Sequence, residues 1–137
     1  MKTRVWLAFA ACLLAVTLLL PGAALGHKGP ATVRVTIKEW TFTPSVPSVG
    51  PGKVTFVVRN AGTMEHEFVV LRSNLPPLRL PMEGNQAKEI GMRGEIEEFG
   101  PGLTKRLTLT LKRGKYVLLC NLPGHYNKGQ AVRLIVR

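Results

Sequence analysis

Cys120-Asn121-Leu122-Pro123-Gly124-His125-Tyr126-Asn127-Lys128-Gly129-Gln130 gathers a thiol, an imidazole and an amide oxygen around a Pro-Gly turn. It follows directly on the apolar run Val117-Leu118-Leu119, which reads as a buried strand. A second imidazole, His66, stands beside another apolar run, Phe68 to Leu71. Taken singly, a Cys or a His is more often packed than ligating, but the Cys-x4-His-x4-Gln spacing turns that reading round. Two neutral imidazoles, one thiolate and a weak fourth donor make up a mononuclear electron-transfer copper site, where Gln is one of the axial donors that can replace Met. The candidate metal ligands are therefore His66, Cys120, His125 and Gln130. Met64 is the competing axial donor.

The segment from Tyr116 to Gln130 resembles the C-terminal copper loop of the cupredoxins, the small blue type 1 copper proteins, in which the fourth position is most often Met. Gln130 makes it similar to the stellacyanin-type variant. His66 follows a strand and the turn Asn60-Ala61-Gly62, as the first His does in that family. The resemblance implies one copper ion cycling between Cu(II) and Cu(I), a one-electron carrier that is not an enzyme, and an electron path through His125. One position departs from the pattern. The residue after the first His is often Asn or Ser and tethers the Cys loop; here it is Glu67.

The first 26 of the 137 residues read as a leader. Lys2 and Arg4 form a basic start, Val5 to Leu20 is an uncharged, mostly apolar core, and Ala24-Leu25-Gly26 offers small residues for cleavage. The expectation is a signal peptide over 1–26, a single domain over 27–137, and export to the periplasm or outside the cell. A retained anchor is the alternative, but the apolar core falls short of the roughly 20 residues a spanning helix needs. With Cys12 removed, Cys120 has no disulfide partner, and an unpaired Cys in an exported protein is a reactive thiol or a metal ligand. Without Lys2 and Arg4 the formal charge of +11 becomes about +9. The bases are scattered (Lys38, Lys53, Arg59, Arg72, Arg79, Lys105, Arg113, Arg133), and export with no basic run argues against nucleic acid. The basic charge of this expected monomer serves either solubility alone or encounter with an acidic redox protein, with an anionic membrane surface as a second site of association.

Alternation of Val33, Val35 and Ile37 with polar neighbours predicts a half-buried antiparallel strand over 31–40. Pro44 and Pro47 make the next segment an irregular edge strand. Strands are expected over 53–59, 64–71, 103–111, 115–120 and 130–137. Period two puts Tyr116, Leu118 and Cys120 on one face, sets Met64 beside His66, and turns Glu65 and Glu67 toward solvent. Residues 74–102, broken by prolines and glycines, read as a long crossover with a short helix or turn around Gln86 to Ile90. Tyr126 and Leu122 are expected to form an apolar rim over the site. Seven or eight strands with regular turn signals predict an all-β Greek-key β-sandwich.

Other chemistries fit less well. Structural zinc prefers four strong ligands, and this chain offers three and an amide. A two-copper centre needs a second loop cysteine, and multicopper enzymes need more than His27, His66 and His125. A Cys-His hydrolase lacks an orienting group, and a brace built on His27 lacks a second free His. A copper chaperone or storage protein stays open, with Met64, Met82 and Met92 as soft donors.

Overall fold

The computed structural model describes residues 29–137, so the expected signal peptide lies outside the described residues. Eleven strands follow in order: β1 (Ala31–Lys38), β2 (Thr41–Pro44), β3 (Ser48–Val49), β4 (Gly52–Asn60), β5 (His66–Arg72), β6 (Met82–Glu83), β7 (Gln86–Ala87), β8 (Met92–Phe99), β9 (Thr104–Leu111), β10 (Gly114–Leu119) and β11 (Ala131–Val136). Eight of them have four or more residues, as expected. One 3-10 turn, Tyr126–Lys128, interrupts the strand pattern. Among the described residues no helix is long and apolar enough to cross a membrane.

Two sheets face each other in a Greek-key sandwich, one ordered β2-β1-β4-β9 and the other β3-β11-β10-β5-β8, with β6 and β7 as a separate hairpin. The expectation of an antiparallel β1 holds only on one side. β1 pairs antiparallel with β2 but parallel with β4, Val33 opposite Phe56. The reason lies in the prolines. Pro44 ends β2, the chain leaves for the other sheet where β3 pairs with β11, and it returns as β4 in the direction of β1.

The alternating residues fill the space between the sheets. Val33, Val35, Ile37, Val54, Phe56, Val58, Phe68, Val70, Tyr116, Leu118, Cys120, Leu134 and Val136 form one buried cluster. Residues of opposite parity on β5 and β10, Val69, Leu71, Val117 and Leu119, are buried too, under Leu80, Ala87 and Tyr126. Both central strands are therefore covered on both faces, which is why their sequences are continuous apolar runs. Burying such a side chain contributes about 1.5–3 kcal/mol, so four of them rival a domain's net stability of about 5–15 kcal/mol. The covering segment is integral to the fold.

Leu80 and Ala87 belong to the long connection after β5, which differs from its sequence expectation. Around Gln86 it forms the β6–β7 hairpin instead of a helix, and Met92–Phe99 is a full strand at the sheet edge. Register shifts between His66 and Phe68, and again between Val70 and Leu71, break the pairing of β5 with β8. The bulges scramble the period-two signal of an acid-rich strand, so only Ile96 and Phe99 mark its inner side. Entry into β8 depends on Gly91, whose φ is +82° and whose carbonyl accepts the Arg72 N–H at 2.9 Å.

A Cβ at Gly91 would lie 2.5 Å from the Arg72 carbonyl oxygen, whereas Gly84, also left-handed at φ +60°, has open space around it. Gly91→Ala is expected to lower the unfolding free energy by roughly 2–4 kcal/mol in chemical denaturation. Gly84→Ala should cost only about 1 kcal/mol of backbone strain. Equal losses at the two positions would contradict this account of β8.

Candidate metal centre

Cys120 leaves the end of β10 on the inner face, below Tyr116 and Leu118, and is fully buried. The loop that follows is closed on itself. The Cys120 N–H donates to the Gln130 carbonyl at 3.1 Å, and the His125 N–H donates to the Leu122 carbonyl at 2.9 Å. Gly124, at φ +81°, makes the return that a side chain would strain. The result folds His125 back over the thiol, with Nδ1 3.3 Å from Cys120 Sγ.

His66 opens β5 and is fully buried. Its ring centroid lies 5.2 Å from that of His125. One potential ligand atom from each of His66, Cys120 and His125 falls within 4.8 Å of the others. Gln130, fully buried, donates from Nε2 to the Lys38 carbonyl at 2.9 Å. Two buried polar atoms have no hydrogen-bond partner among the described residues, His66 Nδ1 and Gln130 Oε1. Leaving such an atom unpaired costs about 1–3 kcal/mol. Both atoms are buried lone-pair donors, which a metal ion would satisfy. The donor set therefore fits a single copper ion.

Met64 is not part of this arrangement. β5 begins at His66, so strand parity does not reach Met64, and its side chain is 43 % exposed. Glu65 is exposed as expected, but Glu67 is not on the solvent side. Its N–H points at Cys120 Sγ at 3.4 Å and its Oε1 accepts the Asn121 N–H at 2.6 Å. Glu67 thus performs the tethering that its departure from the family pattern put in question. Burial, joined by Glu89, Glu95 and Glu98, pushes its carboxyl up to about 7 against the Asn121 bond.

Other residues supporting the site carried no recognisable signal in the sequence. Asn121 exchanges hydrogen bonds with the Ala87 backbone, and Gln86 donates to the Asn121 carbonyl, stapling the β6–β7 hairpin to the Cys loop. Asn60, fully buried, donates to the carbonyls of Met64 and Phe99 and accepts from the Gly62 N–H, shaping the turn before His66. Glu39 reaches the same turn from beyond β1. The rim also differs from expectation. Tyr126 faces inward, accepting from the Leu80 N–H and donating to the Pro77 carbonyl. Trp40 takes its place, edge-on to His125 at 5.1 Å, with Lys128 Nζ 4.0 Å from its ring centroid. His125 is 8 % exposed.

Burial pushes the Cys120 thiol up to about 11, with the Glu67 carboxylate adding to it and the Glu67 and Leu122 N–H groups opposing. Burial also lowers the pKa of His125, helped by His66 and Lys128. The ring is thus neutral and the thiol protonated in metal-free protein at pH 8. Metal uptake as thiolate must release the thiol proton. Between pH 8 and 10, one proton per bound ion should appear in an indicator assay, and affinity should rise about tenfold per pH unit. Uptake without proton release would show that Cys120 is not a ligand.

A family model described as a cupredoxin-like domain matches residues 8–133. The chain is 30 % identical over 124 residues to the copper-resistant cuproprotein CopI of Rubrivivax gelatinosus, covering 85 % of this chain and 72 % of that protein. Among solved structures, the auracyanin of Roseiflexus castenholzii superposes with a TM-score of 0.60 at 22 % identity, covering 80 % of this chain and 99 % of that one. Auracyanin A of Chloroflexus aurantiacus, described as a "blue" copper protein, gives 0.59 at 19 % identity, with 80 % and 100 % covered. The two solved structures agree in fold, and the family model and the curated relative cover most of the sequence: the chain belongs to the cupredoxin-like domain family.

Proposed function

We propose that this protein is an exported mononuclear type 1 copper protein that carries single electrons. The observation that carries the reading is the buried cluster of His66, Cys120 and His125, whose ligand atoms lie within 4.8 Å of one another. His66 Nδ1, Cys120 Sγ and His125 Nδ1 would hold the ion, with Gln130 Oε1 as a weak fourth donor. Copper bound there supplies the one-electron Cu(II)/Cu(I) couple.

The chain's own residues make that couple usable. The Cys120 N–H donates to the Gln130 carbonyl, and Glu67 ties the loop to β5, bonds that restrain the ligands as charge changes. Leu122, which packs on the core, and Trp40, edge-on to His125, flank the site with apolar surface. His125, the ligand nearest solvent, offers the shortest way out for an electron. The basic surface supports encounter with an acidic redox partner.

A second reading, copper delivery or storage, is favoured by the name of the 30 % identical relative and by Met64, Met82 and Met92, exposed at 43, 37 and 39 %. A visible spectrum of copper-loaded protein separates the two. A carrier retains copper in both oxidation states and shows an intense thiolate-to-copper band, whereas a delivery protein prefers Cu(I) and hands it to a chelator.

Cys120→Ser should abolish that band while the far-ultraviolet circular dichroism stays that of the sandwich. An unaltered band would refute the ligand assignment. Gln130→Met tests the axial position separately. An amide oxygen is a harder donor than a thioether and favours Cu(II), so Met should raise the reduction potential by on the order of 60 mV, a tenfold change in the one-electron equilibrium. A potential that stays put with copper bound would leave Gln130 as a purely structural residue hydrogen-bonded to Lys38.

A further inference from the structure

Glu39 is drawn to the metal site from the far end of β1, although the ligand set does not require it. Its Oε1 receives the Thr63 N–H at 2.7 Å and the Met64 N–H at 3.0 Å, and lies 3.3 Å from His66 Nε2. Thr63 and Met64 belong to the turn that delivers His66 to β5. One carboxylate oxygen therefore holds that turn and also faces the ligand ring. On the other side of the ring, Nδ1 is buried without a partner among the described residues. A neutral imidazole carries one proton, and a carboxylate at Nε2 draws it there, leaving the lone pair on Nδ1 for the metal.

The place for this carboxylate is built into the chain. A Cβ at Gly62 would land on it, 2.8 Å from both Cδ and Oε2 of Glu39. Gly62 is absent from the left-handed glycines of the described chain, so the turn itself does not require glycine. What glycine provides is room. Asn60 Oδ1 then fixes the Gly62 N–H at 3.0 Å, holding the opening in position.

We propose that Glu39 is a positioning residue of the copper site, an anionic acceptor on His66 Nε2 that fixes the ring tautomer, strengthens Nδ1 as a donor, and thereby favours Cu(II) over Cu(I). The effect on copper rests on the carrier reading; the tautomer rests on the protein geometry alone. Carboxylates behind metal-bound imidazoles raise ligand basicity and fix ring orientation. A stronger donor favours the more highly charged ion, so Glu39 and Gln130 act in the same direction on the couple.

Two variants of the full chain perturb the carboxylate in different ways. Glu39→Gln keeps an oxygen to accept the Thr63 and Met64 N–H groups and removes the charge. Gly62→Ala keeps the charge and pushes the carboxylate, the mobile end of its side chain, off the ring. Each should shift the copper couple toward Cu(I) by about tenfold, which is about 59 mV for one electron, with the thiolate band retained. In zinc-loaded protein, the His66 Nε2 proton should give a slowly exchanging nuclear magnetic resonance signal that exchanges faster in both variants. An Nε2 proton signal unchanged in both variants would overturn the proposal whatever the copper spectrum shows. Faster exchange with an unmoved potential would reduce Glu39 to an anchor of the turn and overturn its effect on the couple. If copper-loaded protein shows no thiolate band at all, the carrier reading falls and so does the claimed bias toward Cu(II), while the zinc-loaded signal still decides the tautomer.

Discussion

The hydrogen bond from the Asn121 N–H to Glu67 Oε1, 2.6 Å long, holds together two segments that the sheet itself releases. β5 and β10 pair from Tyr116 opposite Arg72 as far as Leu119 opposite Val69, and the ladder stops there. Beyond that point β5 runs back to His66, and the chain that leaves β10 reaches Cys120. A metal site at this end of the sheets draws an imidazole and a thiol from the two parted ends, His66 and Cys120. It needs the parted ends to stay in register. The Glu67 side chain does what the ladder no longer can, and the Glu67 N–H takes up the sulfur.

The outer cover is tied to the same point. Asn121 is the residue after the thiolate position, and its side chain is bound on both sides to the Ala87 backbone. The hairpin that shields Val69, Leu71, Val117 and Leu119 therefore reports directly to the Cys loop. Tyr126 adds a second fastening through Leu80 and Pro77. Its inward turn leaves Trp40 at the rim, and the Lys128 ammonium above that ring brings positive charge close to His125. At Glu67, burial raises the proton affinity of the carboxyl, and the negative charges of Glu89, Glu95 and Glu98 add to it. The net basic charge is thus unevenly spread around the site.

What could be read from the sequence was what neighbouring residues determine. β1, β4, β10 and β11 have period-two patterns or apolar runs with turn residues at their ends, and the structure places them accordingly. The His66, Cys120 and His125 trio was legible because ligand chemistry belongs to residue types, and the loop spacing alone brings two of the three together. β8 was missed because bulges break its period and its acids mask two inward residues. The parity argument failed at Met64 because the strand starts later than its apolar run suggested. Glu39 resembled an ordinary surface acid, and Glu67 stood at the tethering position with an unexpected residue type; the bonds both make go to residues distant in sequence, which no local pattern records.

The ligand positions are maintained by the protein's own bonds. Cys120 is held through the Gln130 carbonyl, Gln130 through Lys38, His66 through Glu39 and the Asn60 turn, and the whole loop through Glu67. None of these bonds uses the atoms that would face an ion. The cost of this arrangement in metal-free protein falls on His66 Nδ1 and Gln130 Oε1, buried without partners among the described residues, and on a thiol that burial keeps protonated. At about 1–3 kcal/mol for each unpaired atom, the site is a strained part of a marginally stable fold. An ion that relieves this strain stabilises the folded state. Bonds that leave the ion-facing atoms free thus fix the positions of the ligating side chains, which is what the proposed carrier role asks of the chain: little rearrangement as an electron moves.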